Sequence, residues 1–164
     1  MKLLRVGKKG SETVAALDSN NIIRDLSDHI KDLNPQTINE ETFIKLKRLK
    51  LSELKEINSN TRIGACISNP GDFLAIGLNY KAHAEGTKSK LPTEPIVFNK
   101  SSGCIQGPND KIIKPKSASK MDYEVEVGMI IGREGKYIKE ENAQDYVFGY
   151  CIVNDISERS WQKE

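Results

Sequence analysis

Asp122-Tyr123-Glu124-Val125-Glu126-Val127-Gly128-Met129-Ile130-Ile131 alternates acidic residues with tyrosine and valine, and then runs apolar. Such a pattern is that of a β-strand, on which side chains two apart point to the same side. Glu124 and Glu126 therefore share a face, roughly 7 Å apart at their Cα atoms by strand rise. Tyr123, Val125, Val127 and Met129 fall on the other face and are expected to line a core. The glutamate face continues through Gly128 and Ile130, which do not favour water, so the strand reads as buried on both sides. Burying a carboxylate costs several kcal/mol unless it is compensated, and two neighbouring carboxylates raise each other's pKa. A divalent cation relieves both penalties. Hard oxygen ligands with no His or Cys beside them point to Mg²⁺, Mn²⁺ or Ca²⁺ rather than zinc. An isolated Glu-x-Glu would instead favour an edge strand with both carboxylates in water.

A third carboxylate shifts that balance. Asp155 ends the apolar run Val147-Phe148-Gly149-Tyr150-Cys151-Ile152-Val153, and ligands commonly gather where loops leave a rigid sheet. On its own, Asp155 would read as a helix N-cap or turn residue. Residues 157–164 read as the start of a helix, with Arg159 and Gln162 three apart on one face. A domain does not normally stop a turn or two into a helix, so a fragment of a longer chain is expected.

Upstream, Phe73–Leu78 and Ile96–Phe98 are strand-length apolar runs, Gly107-Pro108-Asn109-Asp110 is a turn signal, and Lys139–Asp145 suits a short polar helix. Tyr123–Ile131 and Tyr146–Val153 are the two best strand candidates. Gly77-Leu78-Asn79-Tyr80-Lys81-Ala82-His83 follows a strand-like run and opens a polar loop. A lone histidine is more often a surface group, but His83 is also the residue type used to activate water near neutral pH. His29, in a charged segment, reads as surface.

The composition changes near residue 65. Leu3–Val6 and Thr13–Leu17 read as a hairpin about the turn Gly7–Gly10, followed by an extended piece at Ile22–Leu26. Ser27 is expected to cap a brief helix over Asp28–Leu33. Phe43, Leu46 and Leu49 give Thr42–Leu51 one amphipathic helical face. A small domain over 1–66 and a second over 70–164 are expected.

The 164 residues are 37% hydrophobic and 29% charged, with a formal net charge of +2, which supports a folded core and gives no broad field for nucleic acid or an anionic membrane. No apolar run approaches the roughly 20 residues of a membrane span, and the N-terminus lacks the apolar core of a signal peptide. The basic residues Lys45, Lys47, Arg48, Lys50 and Lys55 are interrupted by Glu53 and Glu56, as on a solvated helix face. Cys66, Cys104 and Cys151 form no Cys-x-x-Cys pair and suit reduced thiols in a cytoplasmic protein, with Cys151 in the core.

Taken in order, IGLNYKAH (76–83), PTEPIVFNK (92–100), GPND (107–110), MDYEVEVGMIIGR (121–133) and GYCIVNDISERSWQ (149–162) resemble the fumarylacetoacetate hydrolase family. MKLLRVG and IRDLS (23–27) are similar to the small N-terminal domain of some members. The resemblance implies an α+β fold: part of a mixed β-sandwich roll, preceded by a small N-terminal α+β domain, in a protein that is usually a homodimer. It implies that Glu124, Glu126 and Asp155 hold one Mg²⁺ or Mn²⁺, with Ca²⁺ as an alternative. That ion would chelate a small 2,4-diketo (acylpyruvate-like) acid and act as a Lewis acid during carbon–carbon cleavage. His83 would activate water, while Arg159, Gln162, Tyr80 and Lys100 would bind the substrate, the guanidinium suiting a carboxylate. Hydrolytic members carry His-x-x-Glu, but this chain has His83-Ala84-Glu85-Gly86. Glu85 thus stands one residue early; either it serves from a rearranged loop or the dyad is broken. A metal-dependent hydrolase is the leading expectation. A lyase (such as a ureidoglycolate lyase), isomerase or decarboxylase on the same scaffold, or a non-catalytic oxo-acid binder, is the alternative. Members continue for roughly another hundred residues, a length consistent with usual domain sizes. That part holds a catalytic lysine and a Gly/Thr/Pro-rich loop, so the 164 residues alone are expected to be poorly active.

Overall fold

A computed structural model of the chain describes residues 1–86 and 88–162. The chain forms two compact units: Met1–Ser68 together with the chain from Gly107 onward, and Asn69–Gln106. All strand pairings among the described residues are antiparallel. They make four small sheets with few helices between them.

In the larger unit, β1 (Lys2–Val6), β2 (Thr13–Leu17) and β3 (Ile23–Asp25) form a three-stranded sheet in that order. The β1–β2 turn is possible because Gly7 (φ 124°) and Gly10 (φ 80°) take positive dihedrals that a Cβ would oppose. β2 is buried on both faces. Val14 and Ala16 join Leu26, Ile30, Leu33, Ile38 and Leu46 in one cluster, while Ala15 joins Val6 and Ile23 in another. Helix α1 (Glu40–Lys47) delivers Leu46; Asn39 caps it by accepting the Thr42 N–H at 2.9 Å.

The expected helix over 42–51 thus starts earlier and stops at Lys47, because Leu49, Leu51 and Leu54 turn toward the first cluster. The helix expected over 28–33 does not form. The His29 and Ile30 N–H groups both bond to the Leu26 carbonyl in a closed turn, and the need to bury Ile30 and Leu33 overrides helical propagation.

β7 (Val125–Ile131) and β8 (Val147–Asn154) pair antiparallel from Val125↔Asn154 to Ile130↔Gly149, with an irregularity at Ile131. Ile130 and Phe148 pack against the first core cluster, and the Phe148 ring meets that of Phe43 edge-on at 5.9 Å. This fixes which face turns inward, and it overturns the expected core stripe. By the period-2 pleat, Ile130 inward sends Tyr123, Val125, Val127 and Met129 outward, where Val125 is 68% exposed. The glutamate face is the half-buried one.

Cys151 is also half-buried rather than in the core. It leans over Gly128, where a Cβ would come within 2.7 Å of its Sγ and of Val153 Cγ2. Its thiol bonds to exposed Cys66, which brings the Cys66 thiol down to about 7 and pushes Cys151 up. Thiolates are the reactive form. Cys66 is therefore expected to react with iodoacetamide before Cys104 and Cys151, with a rate midpoint near pH 7. Mass mapping of the first adduct checks this, and labelling of Cys104 first would contradict it.

The helix expected over 157–164 is also absent from the described part; residues 163 and 164 lie outside it. Ser157–Glu158 instead form a short strand, β9, paired with β6 (Met121–Asp122). The Arg159 N–H then bonds to the Lys120 carbonyl at 2.9 Å, a donor committed to the ladder, and a turn closes on the Glu158 carbonyl. The polar segment at Glu140–Tyr146 is a 3₁₀-helix.

The smaller unit is built on β4 (Phe73–Gly77) paired with β5 (Ile96–Lys100), and it carries the short helix α2 (Lys81–Gly86). Leu78, between β4 and α2, has φ 50°, an unusual dihedral for a bulky residue.

Candidate functional site

The larger unit gathers an acidic corner where β7 and β8 begin and end. The Asp155 N–H bonds to the Glu124 carbonyl at 2.8 Å, which continues the β7–β8 ladder by one step. Residues opposite one another on antiparallel strands project to the same face, so Asp155 stands across from Glu124, and Glu126 follows two positions along. All three are half-buried.

Arg159 is the hub of this corner. Its Nη2 lies 2.6 Å from Glu124 Oε1, and its Nε donates to Asp122 Oδ2 at 2.9 Å. Its Nη1 donates to Gln162 Oε1 at 3.0 Å. The bond to Glu124 holds the guanidinium still more firmly charged, against the cost of its partial burial, and Asp122 adds to the effect. Ser157 Oγ donates to the other Glu124 oxygen at 3.3 Å. Below this, the Glu158 carboxylate is held low, first by the Ser160 hydroxyl and then by the Lys120 and Ser160 N–H groups.

Asp122, Ser157 and Glu158 have no expected role from sequence, yet they build the corner. Asp122 was visible in principle, being two residues before Glu124 in the same period-2 series.

Among the described residues, no three His, Cys, Asp or Glu side chains converge as an ion-sized cluster. Glu124 is directed to Arg159 instead. The donor chemistry nevertheless suits a hard divalent ion: Glu124, Glu126 and Asp155 offer only oxygen. Arg159 meets the charge of Glu124 and Asp122 within the chain.

The other expected residues belong to the smaller unit. Tyr80 is 42% exposed, and its carbonyl accepts the His83 N–H at 3.1 Å at the start of α2. His83 and Glu85 are exposed. They are two apart on a helix and so do not share a face, and Glu85 lies 3.8 Å from Lys81 Nζ. The Lys100 ammonium sits 5.6 Å from the centre of the Phe98 ring.

The fold is of the fumarylacetoacetate hydrolase type. The family model described as fumarylacetoacetate (FAA) hydrolase C-terminal matches residues 72–164, and the chain belongs to that family. A Burkholderia ambifaria protein named "Putative hydrolase" is 46% identical over all 164 residues, which span 58% of its length. Among solved structures, the fumarylacetoacetate hydrolase from Exiguobacterium antarcticum superposes with a TM-score of 0.73 at 24% identity, over 99% of this chain and 58% of that one. A Mycobacterium abscessus protein described as a probable 2-hydroxyhepta-2,4-diene-1,7-dioate isomerase gives a TM-score of 0.70 at 30% identity, over 98% of this chain and 54% of that one. No helix of the described residues is long and apolar enough to cross a membrane.

Proposed function

We propose that the chain is the metal-binding part of a divalent-metal-dependent hydrolase that cleaves a carbon–carbon bond in a small 2,4-diketo acid. The observation that carries this reading is the placement of Asp155 directly across from Glu124, with Glu126 next on the same face. Family membership and the hydrolase-named relative support it.

Glu124, Glu126 and Asp155 would hold one Mg²⁺ or Mn²⁺. A bound divalent ion supplies Lewis-acid stabilisation of the negative charge that develops on an oxo acid as its bond breaks. The Arg159 fork matches a substrate carboxylate, and the Gln162 amide beside it can donate to a second oxygen. His83 would take a proton from water. Tyr80 and Lys100 would orient and hold the anionic substrate. The whole protein, longer than this chain in its relatives, would act as a homodimer in the manner usual for the family.

Isomerisation on the same scaffold is the second reading. The 30%-identical isomerase-named neighbour favours it, as does the ion pair that draws Glu85 toward Lys81 on a face His83 does not share.

Thermal unfolding in EDTA and in millimolar Mn²⁺ tests the ligand set. Binding to the folded state alone raises stability by about 2.7 kcal/mol at a hundredfold excess over Kd. The rise is expected in the wild type and is expected to vanish in Glu124→Gln/Glu126→Gln. A rise that survives both substitutions would remove these carboxylates from the ligand set. Incubation with an acylpyruvate separates the two readings, since hydrolysis yields two smaller acids and isomerisation conserves mass.

A further inference from the structure

We infer that Arg159 acts as a built-in counter-cation for the carboxylate corner and competes with the divalent ion for Glu124. This rests on the reading of Glu124, Glu126 and Asp155 as ligands of that ion, and it assigns Arg159 a task before any substrate arrives.

The geometry is that of a charge already neutralised. Both Glu124 oxygens are engaged, Oε1 by Arg159 Nη2 at 2.6 Å and Oε2 by Ser157 Oγ at 3.3 Å. The same guanidinium is anchored at Asp122 Oδ2 (2.9 Å) and Gln162 Oε1 (3.0 Å). These contacts use all three of its nitrogens, so the fork is set against the corner rather than swung into solvent. A half-buried carboxylate without a partner is costly, and Arg159 removes that cost for Glu124. An incoming divalent ion would meet a unit positive charge on the same carboxylate. Like charges within a few ångströms repel strongly where water is partly excluded. Ion entry therefore requires the Arg159–Glu124 contact to open. An anionic substrate that draws the guanidinium to its own carboxylate would release Glu124 and favour the ion, and by thermodynamic linkage the ion would favour that substrate equally.

The test is the affinity for Mn²⁺ alone, read by electron paramagnetic resonance of the free ion in the intact chain, for wild type, Arg159→Gln and Arg159→Lys. Each protein is first shown to melt cooperatively. Arg159→Gln is expected to bind Mn²⁺ about tenfold more tightly than wild type. Arg159→Lys, which keeps the charge but not the fork, should fall between them and gives the same reading if the glutamine variant does not fold. A tighter site is not what general damage produces, since a disordered corner loses ions. Unchanged or weaker binding in the variants, with wild-type binding that depends on Glu124, overturns the competition and leaves the ligand set standing. No binding in any of the proteins overturns both.

Discussion

Leu26→Ala is expected to destabilise the larger unit by about 4 kcal/mol, in the upper part of the range for a buried leucine truncated to alanine. Leu26 is fully buried and lies in one cluster with Val14, Ala16, Ile30, Leu33, Ile38 and Leu46. Its N–H bonds to the Val14 carbonyl at 2.9 Å, which ties its backbone to the sheet. With the backbone pinned, the neighbours close the void only partly, and the cavity term adds to the lost transfer energy. Ile152→Ala is the counterpart. Ile152 is 84% exposed on the outward face of β8, so its truncation should change stability by less than about 0.5 kcal/mol. Urea unfolding monitored by circular dichroism reads both, as a shift in midpoint at unchanged slope. Comparable losses in the two variants would mean that the outward face is a core in solution, contrary to the packing described above.

That contrast also marks where the sequence is informative and where it is not. The strands are legible because their apolar runs are short, rich in β-branched residues and bounded by turns. Thr13–Leu17, Phe73–Gly77 and Val147–Asn154 fall within a residue or so of where the pattern places them. The side each strand turns inward is not legible. Tyr123, Val125, Val127 and Met129 look more like a core than the glutamate face does. The inward side is decided by Ile130, joined by Phe148 at the register irregularity, and both pack against residues more than 80 positions earlier in the chain. The two lost helices are each lost to a competing local partner. At 28–33 the Leu33 N–H goes to the Asp32 side chain instead of back along a helix, and at 157–158 pairing with β6 holds the backbone extended where the helix would begin.

The candidate site divides the same way. Glu124, Asp155, Arg159 and Gln162 are legible as types at a spacing, and the fold brings them to one corner. What the spacing omits is the partnership. On a helix, Arg159 and Gln162 would have been a pair aimed at a ligand. On the turn that follows β9, Arg159 instead reaches back across the sheet to Asp122 and Glu124. Glu85, one residue early against the His-x-x-Glu pattern, stands two positions from His83 on α2, so the two side chains leave the helix in different directions, and Glu85 lies 3.8 Å from Lys81 Nζ.

Arg5→Met should cost about 3 kcal/mol at neutral pH, in the range for removing one partner from a buried ion pair. Arg5 is 7% exposed. Its Nε and Nη2 reach Asp32 at 2.6 and 3.2 Å, and Nη2 also lies 3.4 Å from Glu12. Methionine keeps much of the stem volume but removes the counter-charge of the Asp32 carboxylate, which retains the Leu33 N–H at 2.8 Å, while Glu12 retains Arg62 at 2.8 Å. The dependence on pH distinguishes lost charge pairing from lost packing. Burial pushes Asp32 and Glu12 up, but the guanidinium bonds outweigh it and leave both below the usual carboxylate range. Asp110, bonded to Arg62 and to the Gly107 N–H, is held at about 2. Carboxylates depressed in the folded state contribute stability that is fully present above their unfolded values near 4 and is lost as pH falls through the folded ones. The wild type should therefore lose stability progressively below about pH 4. Without Arg5, Asp32 keeps the Leu33 N–H and the Ser68 side chain against the cost of its burial but loses the guanidinium, so the variant loses the part of this pH-dependent stability that the arginine supplies. The gap between the two proteins should be widest at pH 7 and narrow toward pH 3, measured by urea unfolding at both. A gap that stays constant would assign the loss to the packing of the arginine stem and not to its charge.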